Sequence, residues 1–74
     1  MRKRSVMIEG HQTSISLEDA FWKELAAIAQ ARRLSLNALV AEVDRARGTA
    51  GNLSSALRLH VLETLRKRAR VNRG

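Results

Sequence analysis

Polar and apolar residues alternate strictly over residues 12–17, which is the spacing of a β-strand with one buried face. The predicted buried side carries Thr13, Ile15 and Leu17, and the predicted outward side carries Gln12, Ser14 and Ser16. No other segment is an obvious partner, and a lone strand would leave its backbone groups unpaired. The pattern therefore predicts a two-stranded antiparallel ribbon formed with the same strand of a second copy.

Three later segments carry apolar residues at helical spacing. The first helix is predicted over residues 18–32, with acids near its start and arginines at its end. The second follows the N-cap candidate Ser35 and ends near residue 47, where Gly48 can supply a left-handed cap. The third, residues 53–68, is apolar on most sides. Because two short helices of one chain could hardly enclose it, we expect a mainly α, intertwined homodimer.

The predicted dimer core combines the inward strand positions with one face of the second and third helices. It consists of Thr13, Ile15, Leu17, Leu36, Leu39, Val40, Val43, Leu57 and Val61. On this basis residues 1–10 form a basic N-terminal arm, residues 11–68 the folded domain with its third helix, and residues 69–74 a basic tail. Residues 5–8 could add an outer strand, since the pair Glu9-Gly10 permits a hairpin turn.

The net charge of +7 is concentrated at the two ends of the chain. Residues 1–8 and 64–74 contain no acid and hold eight of the fourteen cations, whereas residues 9–63 have a net charge of −1. A nearly neutral body with cationic ends suits a polyanion, although basic ends can also be solvated tails that aid solubility. An outward polar ribbon on such a dimer fits the major groove of DNA, and we expect Arg2, Lys3 and Arg4 to contact phosphates.

The residues needed for catalysis or metal binding do not form a recognisable set. The chain has no cysteine, and neither His11 nor His60 has ligand neighbours at helical spacing, so we expect no metal and no cofactor. Ser54 and Ser55 lack a general base, so we expect no enzyme. His11 is read as a ribbon or phosphate contact or a turn residue. No segment could form a signal peptide or membrane span, which predicts a cytoplasmic protein.

The order of these segments resembles the ribbon-helix-helix family, the fold of the Arc and MetJ repressors. The resemblance rests on residues 4–18, on Phe21-Trp22, on residues 34–44, which begin Leu-Ser-Leu-Asn, and on residues 51–58. These segments are similar to a small stand-alone bacterial subgroup. Many relatives have glycine where Arg33 stands, and a non-glycine residue in a left-handed conformation costs about 1 kcal/mol.

The resemblance implies a role for individual residues. The groove-reading strand positions correspond to Gln12, Ser14 and Ser16, a triple that contains no Arg or Lys. The start of the second helix, which grips a phosphate through backbone amides in the family, corresponds to Ser35, Leu36 and Asn37. The implied function is a DNA-binding transcriptional regulator associated with the nucleoid. Two alternatives remain open: an antitoxin-like module that binds a protein through the third helix, and a weakly specific nucleoid-associated protein.

Overall fold

The computed structural model describes residues 1–48 and 51–72, with side chains as far as Ala69. The elements follow in the order β1 (Arg2–Ile8), β2 (His11–Leu17), α1 (Asp19–Ala31), α2 (Leu36–Arg47) and α3 (Leu53–Asn72). The strands form one antiparallel sheet, and the helices pack against its inner face. Nowhere in the described ranges is a helix both long and apolar enough to cross a membrane.

The partner of strand β2 lies in its own chain. Strand β1 pairs with it at all seven positions, from Arg2 opposite Leu17 to Ile8 opposite His11. The connecting residues Glu9-Gly10 have φ values of 48° and 80°, in the left-handed region that two-residue hairpin turns use. The prediction that β2 lacks a partner within the chain is therefore wrong.

The reason is visible in the composition of β1. Its inward positions are Arg2, Arg4, Val6 and Ile8, and only the last two are buried apolar residues. The two arginines hide the period-two pattern, because a strand is recognised by apolar residues on alternate positions. Residues 2–4 consequently continue a strand instead of forming a separate arm.

The helices begin and end close to the predicted residues. Helix α1 ends in a turn in which Arg33 has a φ of 59°, so a non-glycine residue does occupy the left-handed position. The Ser35 hydroxyl accepts a hydrogen bond from the Ala38 N–H at 3.0 Å and caps α2. Helix α3 continues through residues 69–72 of the predicted tail. Thr49, Ala50, Arg73 and Gly74 lie outside the described residues, as does the side chain of Arg70.

A single chain closes its own hydrophobic core. The buried residues are Val6, Ile8, Ile15, Leu17, Trp22, Leu25, Ile28, Ala29, Leu39, Val40, Val43, Leu57 and Val61. Seven of the nine residues predicted for a dimer core are in this set, and the other two, Thr13 and Leu36, are half-buried. A second copy is therefore not needed to bury them, and the intertwined homodimer remains a prediction.

Helix α3 is enclosed on one side only. Leu57 and Val61 are buried in the core shared with α1, α2 and β2, which corrects the expectation that one chain could not cover this helix. The other side keeps Leu59, Leu62 and Leu65 exposed, at 57%, 44% and 41% of their surface. Apolar residues occur on most sides of this helix because it has both a face buried in the core and a second apolar face that is exposed.

Candidate nucleic-acid interface

The outward face of the hairpin carries side chains from both strands. The register places Lys3 opposite Ser16, Ser5 opposite Ser14, and Met7 opposite Gln12. Because side chains alternate along a strand, and the residues between these are the inward ones, all six project away from the helices. The three residues of β2 that were predicted to read the groove, Gln12, Ser14 and Ser16, therefore lie on the same outward face. Sequence reasoning missed the contribution of β1, since it had not paired the strands.

Two side chains of the helices hold the backbone of β1 through three hydrogen bonds. The Trp22 indole Nε1 donates to the Arg2 carbonyl oxygen at 2.8 Å, near the start of the strand. The Asn37 amide accepts from the Met7 N–H at 2.6 Å and donates to the Met7 carbonyl oxygen at 2.5 Å, near its end. The strand is therefore fixed at both ends, and the side chain of Asn37 is occupied by the strand edge.

A basic cluster lies at the open end of the hairpin, against α1. Arg2 Nε is 3.3 Å from a carboxylate oxygen of Asp19, and the Arg4 guanidinium lies 5.6 Å from the centre of the Trp22 ring. These residues and Lys23 line a cavity of about 350 Å³. The two predicted phosphate contacts Arg2 and Arg4 are thus brought together, and Lys23 is an additional cation. The sequence alone did not indicate Lys23, because it lies on a different element.

The start of α2 is capped by the protein itself. Besides the cap from Ser35, the first turn has backbone N–H groups at Leu36 and Asn37 that have no partner within the helix, as at any helix start. Leu36 is half-buried against the core, so its side chain points inward. Any anion bound here would be held by the backbone amides and the helix dipole, because the Asn37 side chain is engaged with Met7.

His11 lies apart from the outward face. It pairs with Ile8 at the turn end of the hairpin and therefore points to the inner side of the sheet. There it lines a cavity together with Thr13, Asp44 and Arg47. The predicted phosphate contact at His11 stays a prediction. The cavity that His11 lines also contains the carboxylate of Asp44 and the guanidinium of Arg47.

Among the residues whose side chains the structure describes, four arginines form ion pairs with acids of the folded body. The pairs are Arg2–Asp19, Arg32–Glu42, Arg47–Asp44 and Arg58–Glu18. Hydrogen bonds from Arg32 lower the pKa of the Glu42 carboxyl below its ordinary value and the pair raises the pKa of Arg32. A backbone hydrogen bond at Glu18 itself, followed by the bond from Arg58, lowers the pKa of the Glu18 carboxyl. Each pair joins one positive and one negative side chain, so the excess positive charge belongs to the remaining cations.

The groove between α2 and α3 contains a buried imidazole atom. The Nε2 atom of His60 is buried and has no hydrogen-bond partner among the residues that the structure describes. Glu42, Glu63 and the exposed Leu59 line the same groove. The groove and the exposed leucines both involve α3, the helix through which a protein partner is predicted.

Comparison with known families agrees with this architecture. A family model described as a ribbon-helix-helix domain matches residues 1–65, which is most of the chain and includes both strands, the first two helices and the larger part of α3. No curated protein and no solved structure matches significantly. Domains of this family are regulatory modules, generally DNA-binding regulators or antitoxins, and are not enzymes. The order of strands and helices and the extent of the family match together show that this chain belongs to the ribbon-helix-helix family.

Proposed function

We propose that this protein is a sequence-preferring DNA-binding regulator of transcription that inserts the outward face of its β-sheet into the major groove. The observation that carries the proposal is this face, with Gln12, Ser14 and Ser16 projecting from a sheet whose other side is packed on the core. The glutamine can form two hydrogen bonds with adenine, and serine hydroxyls can donate to or accept from any base. The net charge of +7 supplies attraction to the phosphates.

The dimensions of the sheet suit the groove. Neighbouring strands lie about 4.8 Å apart, and the major groove is about 12 Å wide, so two neighbouring strands with their outward side chains fill it, whether or not further strands flank them. The cluster of Arg2, Arg4 and Lys23 and the backbone amides at Leu36 and Asn37 flank this ribbon as phosphate contacts in the proposal. Contacts of this kind fix the depth and orientation of the ribbon without reading the sequence.

We further propose that the protein binds DNA as a homodimer, as members of the family typically do. Two surfaces could join the copies: the unpaired edge of β2 near Gln12 and Ser14, and the exposed leucines of α3. Sedimentation equilibrium at micromolar concentration tests this proposal. A species with the mass of one chain, both free and bound to DNA, would refute it.

The function is tested by selecting bound sequences from a random duplex library at physiological salt. The wild type should enrich a short motif, and the Gln12→Ala variant should lose preference at one position of it while remaining folded. Failure of the wild type to bind duplex DNA, or unchanged preference in both Gln12→Ala and Ser14→Ala, would refute groove reading by this face. A wild type that binds every sequence equally would favour the weakly specific nucleoid-associated alternative.

The exposed apolar face of α3 favours a second candidate, the antitoxin-like module. Leu59, Leu62 and Leu65 leave 41–57% of their surface exposed on α3, and a group of exposed apolar side chains of this kind can mark a protein-binding site. A Leu62→Glu variant separates the two functions, because it leaves the sheet unchanged. Loss of DNA affinity in this variant would tie the face to dimerisation, whereas intact DNA affinity would leave it available to another protein.

A further inference from the structure

We propose that the cavity between the start of β1 and α1 is a binding site for a small phosphate monoester that also carries hydroxyl groups, such as a sugar phosphate. Six residues line this cavity of about 350 Å³: Arg2, Arg4, Asp19, Trp22, Lys23 and Ala26. Its volume lies at the small end of the range of about 300 to 1,000 Å³ that is typical of ligand pockets. The site itself does not depend on the proposed function, whereas its effect on DNA affinity rests on it.

The charge of the cavity matches a dianion. Arg2, Arg4 and Lys23 contribute three positive charges and Asp19 contributes one negative charge, which leaves a net charge of +2. A phosphate monoester carries about −1.5 to −2 charges at pH 7, whereas each phosphodiester of a DNA backbone carries about −1. One bound monoester therefore neutralises the cavity, which a single backbone phosphate does not.

The three cations reach the cavity from two elements. Arg2 and Arg4 occupy inward positions of β1, and Lys23 lies on α1, one turn after Asp19. Lys23 takes part in none of the ion pairs between the side chains that the structure describes. A phosphate monoester has three strong acceptor oxygens, so donors on two walls can bind it from more than one side.

The two walls of the cavity are joined by Trp22. Its indole Nε1 donates to the Arg2 carbonyl oxygen at 2.8 Å, which fastens the first residue of β1 to α1. The Arg4 guanidinium lies 5.6 Å from the centre of the Trp22 ring, and this tryptophan is only 4% exposed. The ring therefore holds a cation over a fixed, buried support. Groups that are already held in place lose less conformational entropy when a ligand binds.

The carboxylate of Asp19 determines what else the ligand carries. One of its oxygens is 3.3 Å from Arg2 Nε, and the two side chains remain 65% and 61% exposed. A carboxylate has further lone pairs that accept hydrogen bonds from hydroxyl groups, but it repels a second phosphate. The cavity therefore favours one phosphate attached to a hydroxyl-bearing group over a chain of several phosphates.

A ligand in this cavity competes with DNA. Under the proposed function, Arg2, Arg4 and Lys23 contact phosphates of the DNA backbone, and a bound monoester occupies the same three cations. Ligand binding therefore lowers the affinity for DNA, and DNA lowers the affinity for the ligand by the same factor. The cavity would in this way make the regulator responsive to a small phosphorylated molecule.

The single tryptophan of the chain lines the cavity, so its fluorescence reports whether the cavity is occupied. Ribose 5-phosphate, inorganic phosphate and ribose are titrated into the wild type, Arg4→Gln and Lys23→Gln. The control is Lys67→Gln, which removes an exposed lysine from α3. Sodium chloride keeps the ionic strength constant, so that general screening of charges does not change during a titration. Circular dichroism melts confirm that each variant is folded.

Ribose 5-phosphate should change the fluorescence of the wild type saturably and bind more tightly than inorganic phosphate, and ribose should have no effect. Arg4→Gln and Lys23→Gln should each weaken binding about five- to tenfold, and Lys67→Gln should leave it unchanged. Asp19→Asn should reduce the preference for ribose 5-phosphate over inorganic phosphate. Because Arg4 contacts the reporting ring, Lys23→Gln is the deciding variant. No saturable change at millimolar ligand, or equal weakening by Lys67→Gln, would overturn the inference.

Fluorescence anisotropy on a labelled duplex separates this inference from the proposed function. Saturating ribose 5-phosphate should lower the DNA affinity of the wild type about fivefold or more, and the same concentration should have a smaller effect on Lys23→Gln. Unchanged DNA affinity would overturn the competition. If the duplex binds and neither phosphate compound does, the cations contact only the DNA backbone, so the inference fails while the proposed function stands. Binding of ribose 5-phosphate by a wild type that binds no duplex would support the site and refute the proposed function.

Discussion

The contact between Asn37 and Met7 gives the most informative prediction about stability. The side-chain amide of Asn37 donates one hydrogen bond to the Met7 carbonyl oxygen and accepts another from the Met7 N–H. The two residues are 30 positions apart in the sequence. Replacing Asn37 with Ala removes both bonds and exposes the strand edge to water. At about 0.5 to 1.5 kcal/mol for each bond, and with water able to reach an edge that is only partly covered, we expect a loss of about 1 to 2 kcal/mol in the free energy of unfolding.

Urea unfolding followed by circular dichroism measures this loss, and Gln30→Ala serves as the control. Gln30 is an exposed polar residue on α1, so its replacement should change the free energy of unfolding by less than about 0.5 kcal/mol. Asn37→Asp should be destabilised as well, because a carboxylate can accept from the Met7 N–H but faces the Met7 carbonyl oxygen without a proton to donate. A variant Asn37→Ala as stable as the control would refute the view that this amide fastens β1 to the helices.

Three further changes test other parts of the fold. Arg33→Gly should raise the free energy of unfolding by up to about 1 kcal/mol in urea titrations, because Arg33 has a φ of 59°; a decrease would mean that the side chain itself stabilises the turn. Ile15→Asp should abolish the cooperative melt, since it places a charge in the core, while Ser14→Ala should melt like the wild type; equal effects would contradict the register. The pKa of Glu42 is lowered in the folded chain, so its contribution to stability is present above the unfolded pKa and is lost as pH falls through the folded value. Urea midpoints measured from pH 6 to pH 3 should fall less steeply in Glu42→Gln than in the wild type, and identical slopes would exclude the ion pair with Arg32 as a source of acid sensitivity.

Local periodicity determined much of this protein. The period of two over residues 12–17 gave the strand and the correct face for each of its side chains, because alternation depends only on backbone geometry. The period near 3.6 gave three helices and the core face of α2, and Ser35 and Gly48 marked the ends of α2. The left-handed conformation of Arg33 was implied by the family resemblance, because many relatives have glycine at this position.

The partner of β2 was decided by the tertiary structure, because pairing joins backbones and leaves little trace in the sequence of the partner. Two inward arginines removed the apolar alternation from β1, so only the Glu9-Gly10 turn hinted at the hairpin. The same holds for Asn37, whose position at a helix start suggested an anion while its amide in fact binds Met7. Contacts between residues far apart in sequence depend on how whole elements pack, and a pattern read along one segment contains no information about the other.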